Sequence, residues 1–143
     1  MRHGHQCGAL WGSAMAAGAR AHQELGPGLH AEASAVRASR DLVQAFEDRQ
    51  GGIDCSRLTG LDMRSATGWQ SFRYFFLSGG TVRCARLVYR TARHTAASLA
   101  ELPDVPGVQG PVSCAAEVAR RLGATEQQAT VAAGLAGGIG LCG

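Results

Sequence analysis

The residues of this 143-residue chain best suited to chemistry are its five cysteines: Cys7, Cys55, Cys84, Cys114 and Cys142. A thiolate attacks disulfides and oxidants and binds soft metals. No two of them form a C-x-x-C, so neither a thioredoxin-type pair nor a zinc knuckle is written locally. A reacting pair or a shared metal has to be assembled from distant segments. At the start of the chain His3, His5 and Cys7 alternate, and they share a face only if that segment is extended. A free N-terminus with histidine third could also hold copper or nickel through backbone nitrogens. His22, His30 and His94 stand singly and read as surface or satisfied residues. His94 and Asp104 are placed by no nucleophile motif, so a conventional hydrolase is not indicated.

The elements that must position these thiols read as helices throughout. Gln6 to about Gln23 is rich in Ala, Leu and Met and stops at Gly26-Pro27-Gly28, a strong breaker. From Leu29 to Gln50, Val36, Leu42, Val43 and Phe46 share one face, while Arg37, Arg40, Glu47 and Asp48 lie elsewhere. Gly51-Gly52 ends that helix. A short helical start capped by Asp54 follows. Trp69–Leu77 is a short aromatic helix broken by Gly79-Gly80. Thr81 is the expected cap of a helix from Val82 to Leu102, with Leu87, Val88, Ala92 and Leu99 as core candidates. Residues 101–110, with two of the four prolines, form the clearest linker. Ser113 caps a helix to about Leu122. Thr125-Glu-Gln-Gln128 is a capping box for the last helix, which is expected to close in a turn at Gly137-Gly138-Ile139-Gly140. That glycine run lacks a preceding strand and a following Lys, so packing or a tight turn explains it better than a phosphate loop. No alternating strand pattern of useful length occurs. The expected fold is all-α, a small bundle of about six helices with Gly-rich turns.

On these boundaries Cys7, Cys55, Cys84 and Cys114 each fall in the first turn of a helix. The unpaired amides and partial positive charge there favour a thiolate. Arg83 beside Cys84 would add to this, and Asp54 beside Cys55 would oppose it. Buried free cysteine is also a common packing residue, so a structural helical protein without catalysis stands beside the reactive reading. Cys7-Gly8-Ala9-Leu10-Trp11-Gly12 and Cys55-Ser56-Arg57-Leu58-Thr59-Gly60 share the pattern C-x-x-L-x-G.

Composition bounds the function. Net charge is +3, too small for a nucleic-acid footprint. All fourteen basic residues are Arg, with no Lys or Asn, and they read as scattered and solvated. Abundant Ala and Gly imply helices packed closely on small side chains. Residues 1–20 show no signal peptide. The uncharged stretch from Gln127 to Gly143 is too short and Gly-interrupted to span a membrane. The expected compartment is the cytoplasm, where permanent disulfides are disfavoured and cysteines more often do redox or metal work.

The motif Cys7-Gly8-Ala9-Leu10-Trp11-Gly12 resembles the CGAxxG signature of the redox-active C_GCAxxG_C_C proteins, small bacterial and archaeal proteins expected to be helical. Cys55 and Cys84 look like that family's third and fourth cysteines. The first, which opens a helix ahead of a Gly-Gly-x-Gly turn, is matched here by Cys114, after the others instead of before. The resemblance therefore divides the chain into 1–102, the C-terminal portion of one such domain; 103–111, a linker; and 112–143, the N-terminal portion of a second. That second portion would be truncated or would pack back on the first as a permuted domain, gathering Cys114, Cys7, Cys55 and Cys84 into one site.

The resemblance implies a thiol redox protein using these four cysteines for disulfide exchange or electron transfer, with Cys7 as principal residue and Gly8 leaving room for a partner. This reading requires no cofactor. The alternative is a zinc or iron–sulfur module ligated by the same four thiolates. An unidentified redox partner is implied, with neither nucleic acid nor a membrane span, and self-association fits either reading. Cys142 has no assigned partner.

Overall fold

The computed structural model describes residues 6–61 and 66–139. Among these residues the protein is all-helical: α1 (Gly8–Leu25), α2 (Leu29–Gln50), α3 (Cys55–Thr59), α4 (Gly68–Phe72), a π-helical turn (Arg73–Leu77), α5 (Gly80–Ser98), α6 (Cys114–Arg121) and α7 (Glu126–Ile139). The α1–α2 pair is an antiparallel hairpin. Its apolar layers run in opposite chain directions: Cys7 and Leu10 meet Phe46, Ala17 meets Ala38 and Leu42, and Ala21 meets Ala31 and Ala35. The breaker works as expected. Gly26 has φ 74° and donates its amide to the His22 carbonyl, and Gly51 closes α2 with φ 73°.

Helix α7 packs on both α1 and α2, with α6 folded against it. Small residues make this approach possible. A Cβ on Gly18 would lie 2.6 Å from the Val131 Cα, one on Gly134 would lie 2.8 Å from the Ala14 carbonyl oxygen, and one on Gly137 would lie 2.9 Å from the Val36 Cα. The helix therefore continues through Gly137 and Gly138 instead of turning there, because Gly137 is a notch for the α2 backbone and Gly138 leaves room for the Ala14 methyl. Gly140 lies outside the described residues. The contrast between two helical glycines is testable. Gly134→Ala forces a methyl onto the Ala14 carbonyl and is expected to cost about 1–3 kcal/mol. Gly12→Ala, with no atom within 4 Å of its Cβ, is expected to gain about 0.5–1 kcal/mol from helix propensity. Urea unfolding of the two variants checks this, and shifts of the same sign would contradict the packing account.

Two expected caps differ. Asp54 occupies the N-cap of α3 but its side chain makes no capping bond, and its carbonyl instead accepts from Arg57 and Leu58. Helix α5 begins at Gly80 behind Gly79, whose φ of 70° turns the chain into the helix instead of only breaking it. Thr81 consequently lies inside the helix, and its hydroxyl donates to the Phe75 carbonyl at 2.7 Å. The Ser113 cap and the Thr125–Gln128 capping box are both present, and Thr67–Gln70 forms a further box at α4. The π turn arises where the Ser78 amide donates to the Arg73 carbonyl five residues back. Beside it Trp69, Phe72 and Phe76 stack in series at 5.8 and 5.1 Å on the surface.

The segment between α5 and α6 is fastened to α2. The Ser34 hydroxyl donates to the Pro103 carbonyl at 2.9 Å, His30 meets Asp104 at 3.0 Å, and Leu102 packs on the hairpin core. Beneath α6, Glu32 is only 1 % exposed and pairs with Arg120, which also meets Glu126 at 3.1 Å.

Candidate functional site

Three of the four expected site cysteines converge at one end of the α1–α2 hairpin. Cys7 is the N-cap of α1 and is buried; its carbonyl accepts from Leu10 and its amide donates to the Ile53 carbonyl at 2.8 Å. A lone antiparallel bridge between Gln6 and Asp54 holds the two segments side by side. This pairing puts Cys55, the first residue of α3, against Cys7. The Cys55 thiol donates toward the Gln6 carbonyl at 3.8 Å and packs in the same cluster as Cys7. Cys84 comes from α5, whose Leu87 packs into the same cluster as Cys7, Leu10, Phe46 and Leu58. Leu10 and Leu58 are the matching leucines of the C-x-x-L-x-G echo, and both face this one cluster.

Cys84 lies two residues deeper than expected, as the fifth residue of α5, because that helix starts at Gly80. Cys7, Cys55 and Cys114 do stand at helix starts. The expected thiolate stabilisation fails at Cys55. Burial pushes its thiol above the ordinary value of 9.0, the neighbouring Cys7 and Cys84 push it further, and a hydrogen bond with the Gly8 amide only partly opposes them. Helix α3 has five residues, too few peptide dipoles to outweigh the loss of water.

All three of these cysteines line one groove of about 630 Å³ between α1 and α5, and no charged side chain among the described residues borders it. Gly8 and Gly12, the two glycines of the CGAxxG motif, form part of its floor. A Cβ on either would meet no protein atom within 4 Å, so their bareness widens the groove instead of admitting a neighbouring helix. Val88 and Ala92, expected in the core, are exposed and line the groove opposite them. Deeper in, the Ser13 and Thr95 hydroxyls meet at 2.8 Å, a buried bond tying α1 to α5.

Cys114 is not brought to this site. It opens α6 in an exposed position, and that helix packs through Ala116 on Val36, Ala129 and Ala133, a cluster apart from that of Cys7. His3, His5 and Cys142 lie outside the described residues. Among the described residues no three His, Cys, Asp or Glu side chains are arranged to hold a metal ion. No described helix is long and apolar enough to cross a membrane.

Periodicity missed a second cavity, of about 390 Å³, bordered by His94, Arg49, Arg90 and Gln50. His94 holds Ser98 through Nδ1 at 3.1 Å while its buried Nε2 has no partner. Burial first, and then the Arg49 charge, lower its pKa below the usual 6.5. No local motif marks these residues, because they meet only when α2 and α5 cross.

Neither the curated proteins nor the solved structures compared with this chain gave a match. The family model does match, over residues 1–98, a span that takes in Cys7, Cys55 and Cys84 and stops before Cys114. The chain belongs to the family described as Putative redox-active protein (C_GCAxxG_C_C), and redox activity is the role that this membership brings.

Proposed function

We propose that the protein is a thiol–disulfide redox protein whose reacting set is Cys7, Cys55 and Cys84. The observation that carries this reading is the convergence of three thiols, from three separate elements, on one groove, with Cys55 packed in the cluster of Cys7. Exposure and surroundings divide the roles. Cys7 is buried and cannot meet a bulky substrate first, and the Cys55 thiol holds its proton more tightly than an ordinary thiol. The half-buried Cys84 is the attacking residue. Its thiolate attacks one sulfur of a substrate disulfide; that S–S bond breaks, and the far sulfur leaves as a thiolate with the electron pair. Cys55, once deprotonated by solvent base, then attacks the Cys84 sulfur and releases the second substrate thiolate. The protein dithiol is oxidised to a disulfide by two electrons, and the substrate disulfide is reduced to two thiols. Cys7, packed in the same cluster as Cys55, can exchange into that bond as a thiolate, releasing one of its two sulfurs.

Free-thiol counting tests the reading. After mild oxidant, quenching and unfolding, two of the five thiols are expected to be lost, with Cys114 still alkylatable. Five free thiols in a chain that was fully helical during the oxidant step would refute it.

A further inference from the structure

Four of the fourteen arginines, expected to be scattered, form a single row on α5. Arg83, Arg86, Arg90 and Arg93 follow a 3-4-3 spacing, which puts them on one face. From residue 63 to residue 100 the chain has six arginines and no Asp or Glu. None of the ion pairs among the described residues uses a member of the row; Arg93 lies over the Tyr89 ring at 5.9 Å. Arg83, Arg86 and Arg90 border a pocket of about 280 Å³, with Thr59, Gln50 and Tyr74 supplying further polar groups and no carboxylate among the described residues of its rim. Tyr74 is held there by close packing on Gly80, where a Cβ would sit 2.4 Å from its ring.

The decisive feature is what this pocket shares with the thiol groove. Cys84 and Leu87 border both. Cys84 therefore stands between an apolar groove and an arginine-lined pocket. Arg90 and Gln50 also border the neighbouring cavity lined by Arg49, which likewise has no carboxylate among its described lining residues. Guanidinium groups bind carboxylate and phosphate through paired, charge-assisted hydrogen bonds.

We propose that Arg83, Arg86 and Arg90 bind the anionic group of the substrate, which is a small organic disulfide carrying a carboxylate or phosphate a few bonds from its sulfur. The anion seats on the arginine row and the disulfide lies on Cys84, whose attack follows the balance given above. This proposal rests on the thiol–disulfide reading, and it specifies the class of disulfide.

The test compares two probe disulfides, the dianionic bis(nitrobenzoate) disulfide and the neutral dipyridyl disulfide, on protein carrying Cys114→Ser and Cys142→Ser. The ratio of their reaction rates cancels differences in thiol reactivity between variants. Arg86→Gln with Arg90→Gln is expected to lower the anionic-to-neutral ratio about tenfold, the size of one charge-assisted contact. Arg20→Gln, which removes one charge from α1 where Arg20 pairs with Glu24, is expected to leave the ratio unchanged. Inorganic pyrophosphate is expected to slow the anionic probe selectively on the unsubstituted arginine row, a measurement independent of how the variants fold. An unchanged ratio in the Arg86/Arg90 variant together with no pyrophosphate effect overturns the proposal; so does an equal fall in Arg20→Gln, which would reflect net charge alone. Failure of the underlying redox reading shows separately, as one probe thiolate released per site instead of two.

Discussion

Cys55→Ser is expected to stop the reaction at a mixed disulfide on Cys84. With an excess of a reagent disulfide, the intact site releases two reagent thiolates and closes an internal disulfide. The serine variant should release one and retain the other half of the reagent, visible as added mass that maps to Cys84. The reason lies in the proposed division of roles: half-buried Cys84 attacks, and Cys55, which lines the same groove and whose pKa is raised by burial and by both other sulfurs, resolves. Internal closure in the serine variant at the wild-type rate would instead make Cys7 the resolving residue. The pH dependence of closure carries the same signature. Burial raises the Cys55 pKa above 9.0, so the closing rate should keep rising through pH 9.0 before it levels off. Stability responds in the opposite sense. The folded chain holds this proton more tightly than the unfolded chain. The group therefore favours folding fully below pH 9.0, and this contribution is lost as the pH rises through the raised value.

Arg120→Gln is expected to produce the largest loss of stability. Glu32 is 1 % exposed on α2, and its ion-pair partner is the Arg120 guanidinium reaching down from α6. Without that guanidinium a carboxylate remains in a low-dielectric site, and breaking such a pair costs about 3–5 kcal/mol. Arg120 is itself 26 % exposed, so water can partly replace it and the lower end of that range applies. For a chain of this length the corresponding fall in Tm is roughly 10 °C. Glu32→Gln added to the variant should restore most of the loss, because the stranded charge is then gone. A loss below about 1 kcal/mol would mean that the pair behaves as a surface ion pair. This contact also joins the α6–α7 segment to the hairpin, so the same variant should loosen α7 in hydrogen exchange before the hairpin core.

Much of the fold is local and could be read from the chain. The α2 boundaries follow from a 3.6-residue apolar pattern ended by Gly51. The caps at Ser113 and Thr125 follow from side chains that satisfy amides within three residues. The structure departs from the local pattern where one residue type serves two purposes. Glycine at 79 and 80 looks like a stop, yet Gly79 starts α5 and Gly80 makes room for Tyr74. Glycine at 137 and 138 looks like a turn, yet both positions lie within a continuing helix against α1 and α2.

What the sequence determined by itself about this protein is its helices, its small-residue packing and its family, because helix periodicity, capping and the CGAxxG motif are local in the chain. Tertiary structure alone decided that Cys7, Cys55 and Cys84 meet while Cys114 stays apart, that burial raises the Cys55 pKa against the helix-start effect, and that Cys84 sits between an apolar groove and a row of arginines. Each of these depends on how α3 and α5 cross the α1–α2 hairpin. Segments some fifty and eighty residues apart in sequence meet there, and desolvation and charge are set by those neighbours and not by the residues adjacent in the chain.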